Sequence, residues 1–82
     1  MLKVLSEVNR ELARQDELWG EQNHPLPDWL VILVEEVGEV ARAIYERDHE
    51  NYREELIQVA AVAVNAVESF DRLNGGNGNA ES

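Results

Sequence analysis

Eighty-two residues carry seven Lys and Arg against seventeen Asp and Glu, a formal net charge of −10, and there is no cysteine. A chain of this size is one small domain that buries only about 60% of its unfolded surface by itself, so packing against further chains is expected. The missing Cys excludes a thiolate zinc site, a thiol nucleophile and a disulfide, and the acidity argues against a nucleic-acid polymer or an anionic membrane as main partner.

Three segments have helical periodicity, with no internal repeat and no strand-like alternation. Leu5, Val8, Leu12 and Trp19 form one stripe of a first helix over about residues 2–19, and Gly20 is placed to end it. The connector 21–27 contains Pro25 and Pro27, each of which removes a donor and restricts the residue before it. Asp28 is the expected N-cap of a second helix running to about Arg47. A turn through Asp48, His49, Glu50 and Asn51 leads to a third helix over about 52–73, with Asn51 and Glu54 at capping-box spacing. Residues 74–82, rich in Gly and Asn, have nothing to bury and read as a tail. No apolar run approaches the roughly 18 residues that span a bilayer, and the start has no basic n-region, so a soluble, cytoplasmic protein is expected. The expected fold is all-α: an antiparallel bundle of three main helices, completed by oligomerisation.

The informative residues are carboxylates in an apolar arc. At about 100° per residue, Trp29, Ile32, Leu33, Val40 and Ala43 share one side of the second helix, and Glu36 and Glu39 fall on that same side, with Glu35 at its edge. In the third helix the run from Leu56 to Val67 is apolar around its circumference except for Gln58 and Asn65, which reads as burial on all sides. Glu55, Gln58 and Asn65 lie along one strip that an antiparallel pairing turns toward Glu36 and Glu39. Carboxylates in such an interface take up protons or hold a cation, because an uncompensated buried charge costs several kcal/mol. All-oxygen donors with no helix-borne His point to Mg²⁺ or Mn²⁺; a di-iron bundle would need Glu-x-x-His, and both His24 and His49 lie in connectors. Neutralisation by Arg42, Arg47 or Arg53 is the structural alternative, although Arg42 and Arg53 are read as pointing away from the strip.

Glu35-Glu36-Val37-Gly38-Glu39 followed by Glu55-Leu56-Ile57-Gln58 resembles the Glu-Glu-x-x-Glu and Glu-x-x-Asp pair of the MazG-like, all-α nucleoside triphosphate pyrophosphatase superfamily, over about residues 10–70. The resemblance implies that Glu36, Glu39 and Glu55 ligate Mg²⁺. Gln58 stands where the pattern has Asp, and its amide offers one carbonyl oxygen but no charge, which implies weaker binding or fewer ions. Trp19-Gly20-Glu21-Gln22-Asn23-His24-Pro25 resembles the family's segment between its first two helices, which contributes to a nucleotide pocket. Trp19 then either stacks on a base or continues the core stripe; Gln22 and His24 read base or sugar edges, or His24 is a turn residue. Asn65 contacts sugar or phosphate, or is a buried amide satisfied by another helix. Trp29 reads as core or subunit interface.

The activity so implied is Mg²⁺-dependent hydrolysis of a (d)NTP at its α-phosphorus to (d)NMP and pyrophosphate, serving nucleotide-pool house-cleaning. Glu35 is the candidate for positioning the attacking water, with Lys3, Arg10, Arg14 and Arg53 as candidates for the phosphates. Family members build the site in bundles of four or more helices, often across a dimer, so a homodimer or a tetramer is expected of a chain with three. A non-catalytic binding protein of the same fold, or a helical oligomerisation module with structural glutamates, are the alternatives.

Overall fold

The computed structural model describes residues 1–74 and consists of three α-helices: α1 (Leu2–Trp19), α2 (Leu26–Tyr45) and α3 (His49–Asn74). The tail expected from residue 74 onward lies, beyond Asn74 itself, outside the described residues. The chain is an all-α, three-helix protein in which α3 is central, with α2 and α1 both packed against it.

α1 has the expected bounds. It stops because Gly20 takes φ 73°, a left-handed value that glycine adopts without steric cost, and its amide donates to the Asp16 carbonyl at 2.7 Å. α2 begins two residues before the expected cap: Pro25 is the N-cap, and the Asp28 and Trp29 amides donate to its carbonyl at 3.0 and 3.3 Å. Pro27 is no obstacle there. The first four amides of a helix have no intrahelical partner and proline's fixed φ is already helical, so the two prolines open the helix they were expected to precede. Asp28 instead sits in the first turn, where its charge suits the positive end of the helix dipole.

The α2–α3 connection is tighter than the expected four-residue turn. Arg47 adopts φ 58°, its amide donates to the Ile44 carbonyl at 3.1 Å, and the Asp48 amide reaches back to Ala43 at 2.9 Å. This six-to-one and five-to-two pair is a Schellman end for α2. Asp48 then caps α3, its Oδ1 accepting the Asn51 amide at 3.1 Å, so the cap is Asp48 rather than Asn51 and α3 starts at His49.

The apolar side chains buried among the described residues are Val8, Trp29, Ala43, Ala61 and Val62. The predicted inward arc of α2 holds throughout: Trp29 and Ala43 are buried, and Ile32, Leu33, Glu36, Glu39 and Val40 are half-buried. α3 departs from expectation, because Leu56, Val64, Val67 and Phe70 remain exposed. Two neighbours cover only part of its circumference, so the single chain does not enclose it. Among the described residues no helix is long and apolar enough to cross a membrane.

Arg47 pays the left-handed penalty with an exposed side chain. Arg47→Gly is expected to stabilise the fold by about 1 kcal/mol, read as a higher melting temperature. An unchanged or lower melting temperature would contradict the assigned turn.

Candidate functional site

The inward arc of α2 and the facing strip of α3 bring Glu36, Glu55 and Gln58 together, all three half-buried. With its amide nitrogen turned toward the carboxylates, Gln58 donates to Glu36 Oε1 at 2.9 Å and to Glu55 Oε1 at 3.2 Å. Turned the other way, its oxygen faces the same two acceptors with no hydrogen between them, an arrangement that requires a cation or a proton. Burial pushes the Glu36 carboxyl above the usual carboxylate range, and the negative charges of Glu55, Glu39 and Glu11, with a hydrogen bond to Glu55, push it the same way.

The other predicted carboxylates stand differently. Glu39 is close enough to raise Glu36, but Arg42 approaches it at 3.8 Å on the outer side. Glu35 is exposed and does not contribute to the Glu36 shift. Among the described residues no arginine or lysine forms an ion pair with Glu36 or Glu55, which removes the structural alternative for that pair. The donor set is all oxygen and suits a hard divalent cation. Even so, no three Asp, Glu or His side chains among the described residues converge closely enough to hold a metal ion in this arrangement.

α1 completes the cluster with a residue outside the expected carboxylate set, Glu11. Glu11 accepts from Arg14 Nε at 2.9 Å and Nη2 at 2.7 Å and from Gln15 Nε2 at 2.8 Å, and the Arg14 bond holds its carboxyl below the usual range. Glu11 and Gln15 occupy the Val8/Leu12 side of α1, so the signal that exposed Glu36, a polar group inside an apolar arc, was present here too. Beside them, Arg53 of α3 bridges to Glu7 of α1 through two bonds of 2.6 and 2.7 Å. A groove of about 410 Å³ runs between α1 and α3, lined by Glu11, Gln58 and the cations Arg10, Arg14 and Arg53. Three of the four phosphate candidates therefore meet at one edge of the carboxylate cluster; Lys3 does not line this groove.

The predicted base-reading residues gather elsewhere. Trp19, Gln22 and His24 line one shallow recess, in which Trp19 is 61% exposed and so belongs to no core. His24 is half-buried and meets Trp29 edge-on at 4.9 Å between ring centroids. Gln22 also borders a second groove of about 370 Å³ together with Asn9, Gln15, Asn65 and Arg72. Asn65 donates to Gln15 Oε1 at 3.0 Å, so its amide is satisfied across the α1–α3 interface. Arg72 ties the connector to α3, donating to Asn23 Oδ1 at 2.9 Å and to the Gln22 carbonyl at 3.0 Å. The buried Trp29 indole N–H and Ser69 hydroxyl have no partner among the described residues.

No protein-family model, curated protein or solved structure matches the chain significantly. The geometry of the cluster therefore stands by itself.

A raised carboxyl pKa means that the folded chain binds this proton more tightly than the unfolded chain. Glu36 thus weakens the fold at neutral pH, and the penalty fades as pH falls through its folded-state pKa. In the absence of divalent cations, Glu36→Gln is expected to melt above wild type at neutral pH, with the gap closing as pH drops to about 4. A variant that melts at or below wild type at neutral pH would show that Glu36 is not under this strain.

Proposed function

We propose that the chain binds nucleoside triphosphates and hydrolyses them to monophosphate and pyrophosphate with the help of Mg²⁺, in the manner of the MazG-like enzymes. The observation that carries this reading is the pairing of Glu36 on α2 with Glu55 on α3: two facing carboxylates, no basic partner, and a carboxyl pKa driven upward. Such a pair gains most from a divalent cation, because neutralising it relieves both burial and mutual repulsion.

Glu36 and Glu55 would hold the cation with the Gln58 carbonyl oxygen beside them, and Glu39 would join only by turning inward, since no three carboxylates converge among the described residues as they stand. Bound there, Mg²⁺ supplies charge neutralisation for the polyphosphate and activation of water. The chain's own part is positioning. Arg10, Arg14 and Arg53 line the neighbouring groove, where guanidinium forks suit phosphate oxygens. Arg14 and Arg53 are engaged by Glu11 and Glu7, so binding a polyphosphate exchanges one anion for another while the arginines stay aligned. Gln22 and Asn65 supply amides that can pair with base or sugar edges, and exposed Trp19 offers a face for stacking. Glu35 lies outside the cluster, and nothing in the arrangement supports a role for it with the attacking water.

A second reading, a nucleotide-binding protein without turnover, is favoured by one specific observation: with its amide nitrogen turned to the two carboxylates, Gln58 can close the site with hydrogen bonds instead of charge. Pyrophosphate release from the common ribo- and deoxyribonucleoside triphosphates, with Mg²⁺ and with Mn²⁺, tests the first reading. Release from at least one substrate that disappears in Glu39→Gln and Glu55→Gln is expected. Nucleotide binding with no release would establish the second reading, and neither binding nor release would leave the glutamates a structural role.

Gln58→Asp adds the missing charge and is expected to tighten Mg²⁺ about tenfold or more, the equivalent of about 1.4 kcal/mol, read by calorimetry. Equal or weaker Mg²⁺ affinity in that variant would remove this cluster from consideration as the cation site.

A further inference from the structure

The groove bordered by Gln15 of α1 and Asn65 of α3 has a hydrogen-bond polarity that its own residues fix. Arg14 grips both oxygens of Glu11, at 2.9 and 2.7 Å, which keeps Glu11 an ionised carboxylate that can only accept. Gln15, one turn further along α1, therefore turns Nε2 to it, at 2.8 Å, and Oε1 away. That oxygen also only accepts, so Asn65 meets it with Nδ2, at 3.0 Å. An isolated Asn or Gln presents either end of its amide, whereas here one charge orients two amides in succession. Asn65 Oδ1 takes no donor among the described residues and is left as an acceptor for whatever enters the groove.

The rest of the lining has the same sign. Asp16 and Glu68 are exposed carboxylates with no ion pair among the described residues, and Glu68 stands one helical turn from Asn65. Arg72 lines this groove too, but Asn23 and the Gln22 carbonyl engage its Nε and Nη2. We infer, on the strength of the nucleotide binding proposed above, that Asn65 is a specificity-determining residue: the groove takes bases bearing an exocyclic amino group and disfavours those with a carbonyl at the same position. An amino group carries two N–H donors and satisfies two acceptors at once. A carbonyl there sets its lone pairs against acceptors with no hydrogen between them, and the lost bonds leave polar groups unpaired. The Glu11–Gln15 bond joins this groove to the one lined by Arg10, Arg14 and Arg53, so a nucleotide laid along α1 and α3 reaches both.

Two base pairs of analogues differ in this one group, cytosine against uracil and adenine against hypoxanthine. Calorimetry of the full chain with Mg²⁺ and the α,β-methylene triphosphates of all four, which resist cleavage at the α-phosphorus, reads the discrimination without turnover. Wild type is expected to bind the amino member of each pair about tenfold or more tightly than the carbonyl member. Asn65→Ala is expected to bring both ratios to within about twofold, with helicity retained by circular dichroism. Glu11→Gln is expected to lower both ratios as well, because an amide at that position lets Gln15 and Asn65 turn over; loss of packing alone would weaken all four ligands alike and leave the ratios standing. Binding of all four with equal affinity, a preference for the carbonyl members, or ratios unchanged in Asn65→Ala would each overturn the inference while leaving nucleotide binding intact. Absence of binding by all four would overturn the nucleotide reading and this inference with it.

Discussion

The arrangement turns on one unfavourable contact, the Glu36 carboxylate held against Glu55 between two helices that must pack. Partial burial removes water that would solvate both charges, and no cationic side chain replaces it, so the pair is stabilised by a proton, by the Gln58 amide or by a cation from solution. Everything around it is consistent with keeping that contact. The α2–α3 connection is reduced to a Schellman end and an Asp48 cap, which fixes the register that sets Glu36 opposite Glu55. The Arg53–Glu7 pair ties α1 to α3 beside the cluster, and Arg14 engages Glu11 within α1, neither of them cancelling the Glu36–Glu55 charges.

How far the residues announced this arrangement depends on the kind of signal each carries. A carboxylate in an apolar arc is legible because helical geometry is rigid: once α2 is a helix, Glu36 and Glu39 share a side with Trp29 and Ala43 whatever the neighbours are. Glu11 and Gln15 carried the same signal on α1, where a shorter apolar stripe made it easier to miss. The turn at Arg47 had no comparable signature, since a left-handed arginine is set by the bonds around it and not by its own preference. The Pro25 and Pro27 pair is ambiguous in sequence because proline both ends and begins helices, and the two uses differ only in which amides are left without partners. Tertiary context, not the residue types, buries Trp29 and sets the Asn65 amide to donate to Gln15.

The outward faces of α2 and α3 show where single-chain reasoning reaches its end. The run from Leu56 to Val67 predicted burial on all sides, yet α1 and α2 cover only part of α3, and the opposite side of α2 is apolar as well. Ordering each residue costs about 1–2 kcal/mol of conformational entropy, and the five apolar side chains buried among the described residues offset little of that. The exposed apolar side of α2, with Leu30, Val31, Val34 and Val37, is where further burial is available.

The most direct test of the central contact is the titration of the Glu36 carboxyl itself, followed by the carbon-13 shift of its side chain in chain labelled at glutamate, without divalent cations, and assigned with Glu36→Gln. The account predicts a midpoint above the ordinary glutamate value near 4.5. A midpoint at or below that value would mean that Glu36 is solvated or compensated by a basic group. The facing carboxylates, and the cation chemistry proposed for them, would then lose their physical basis.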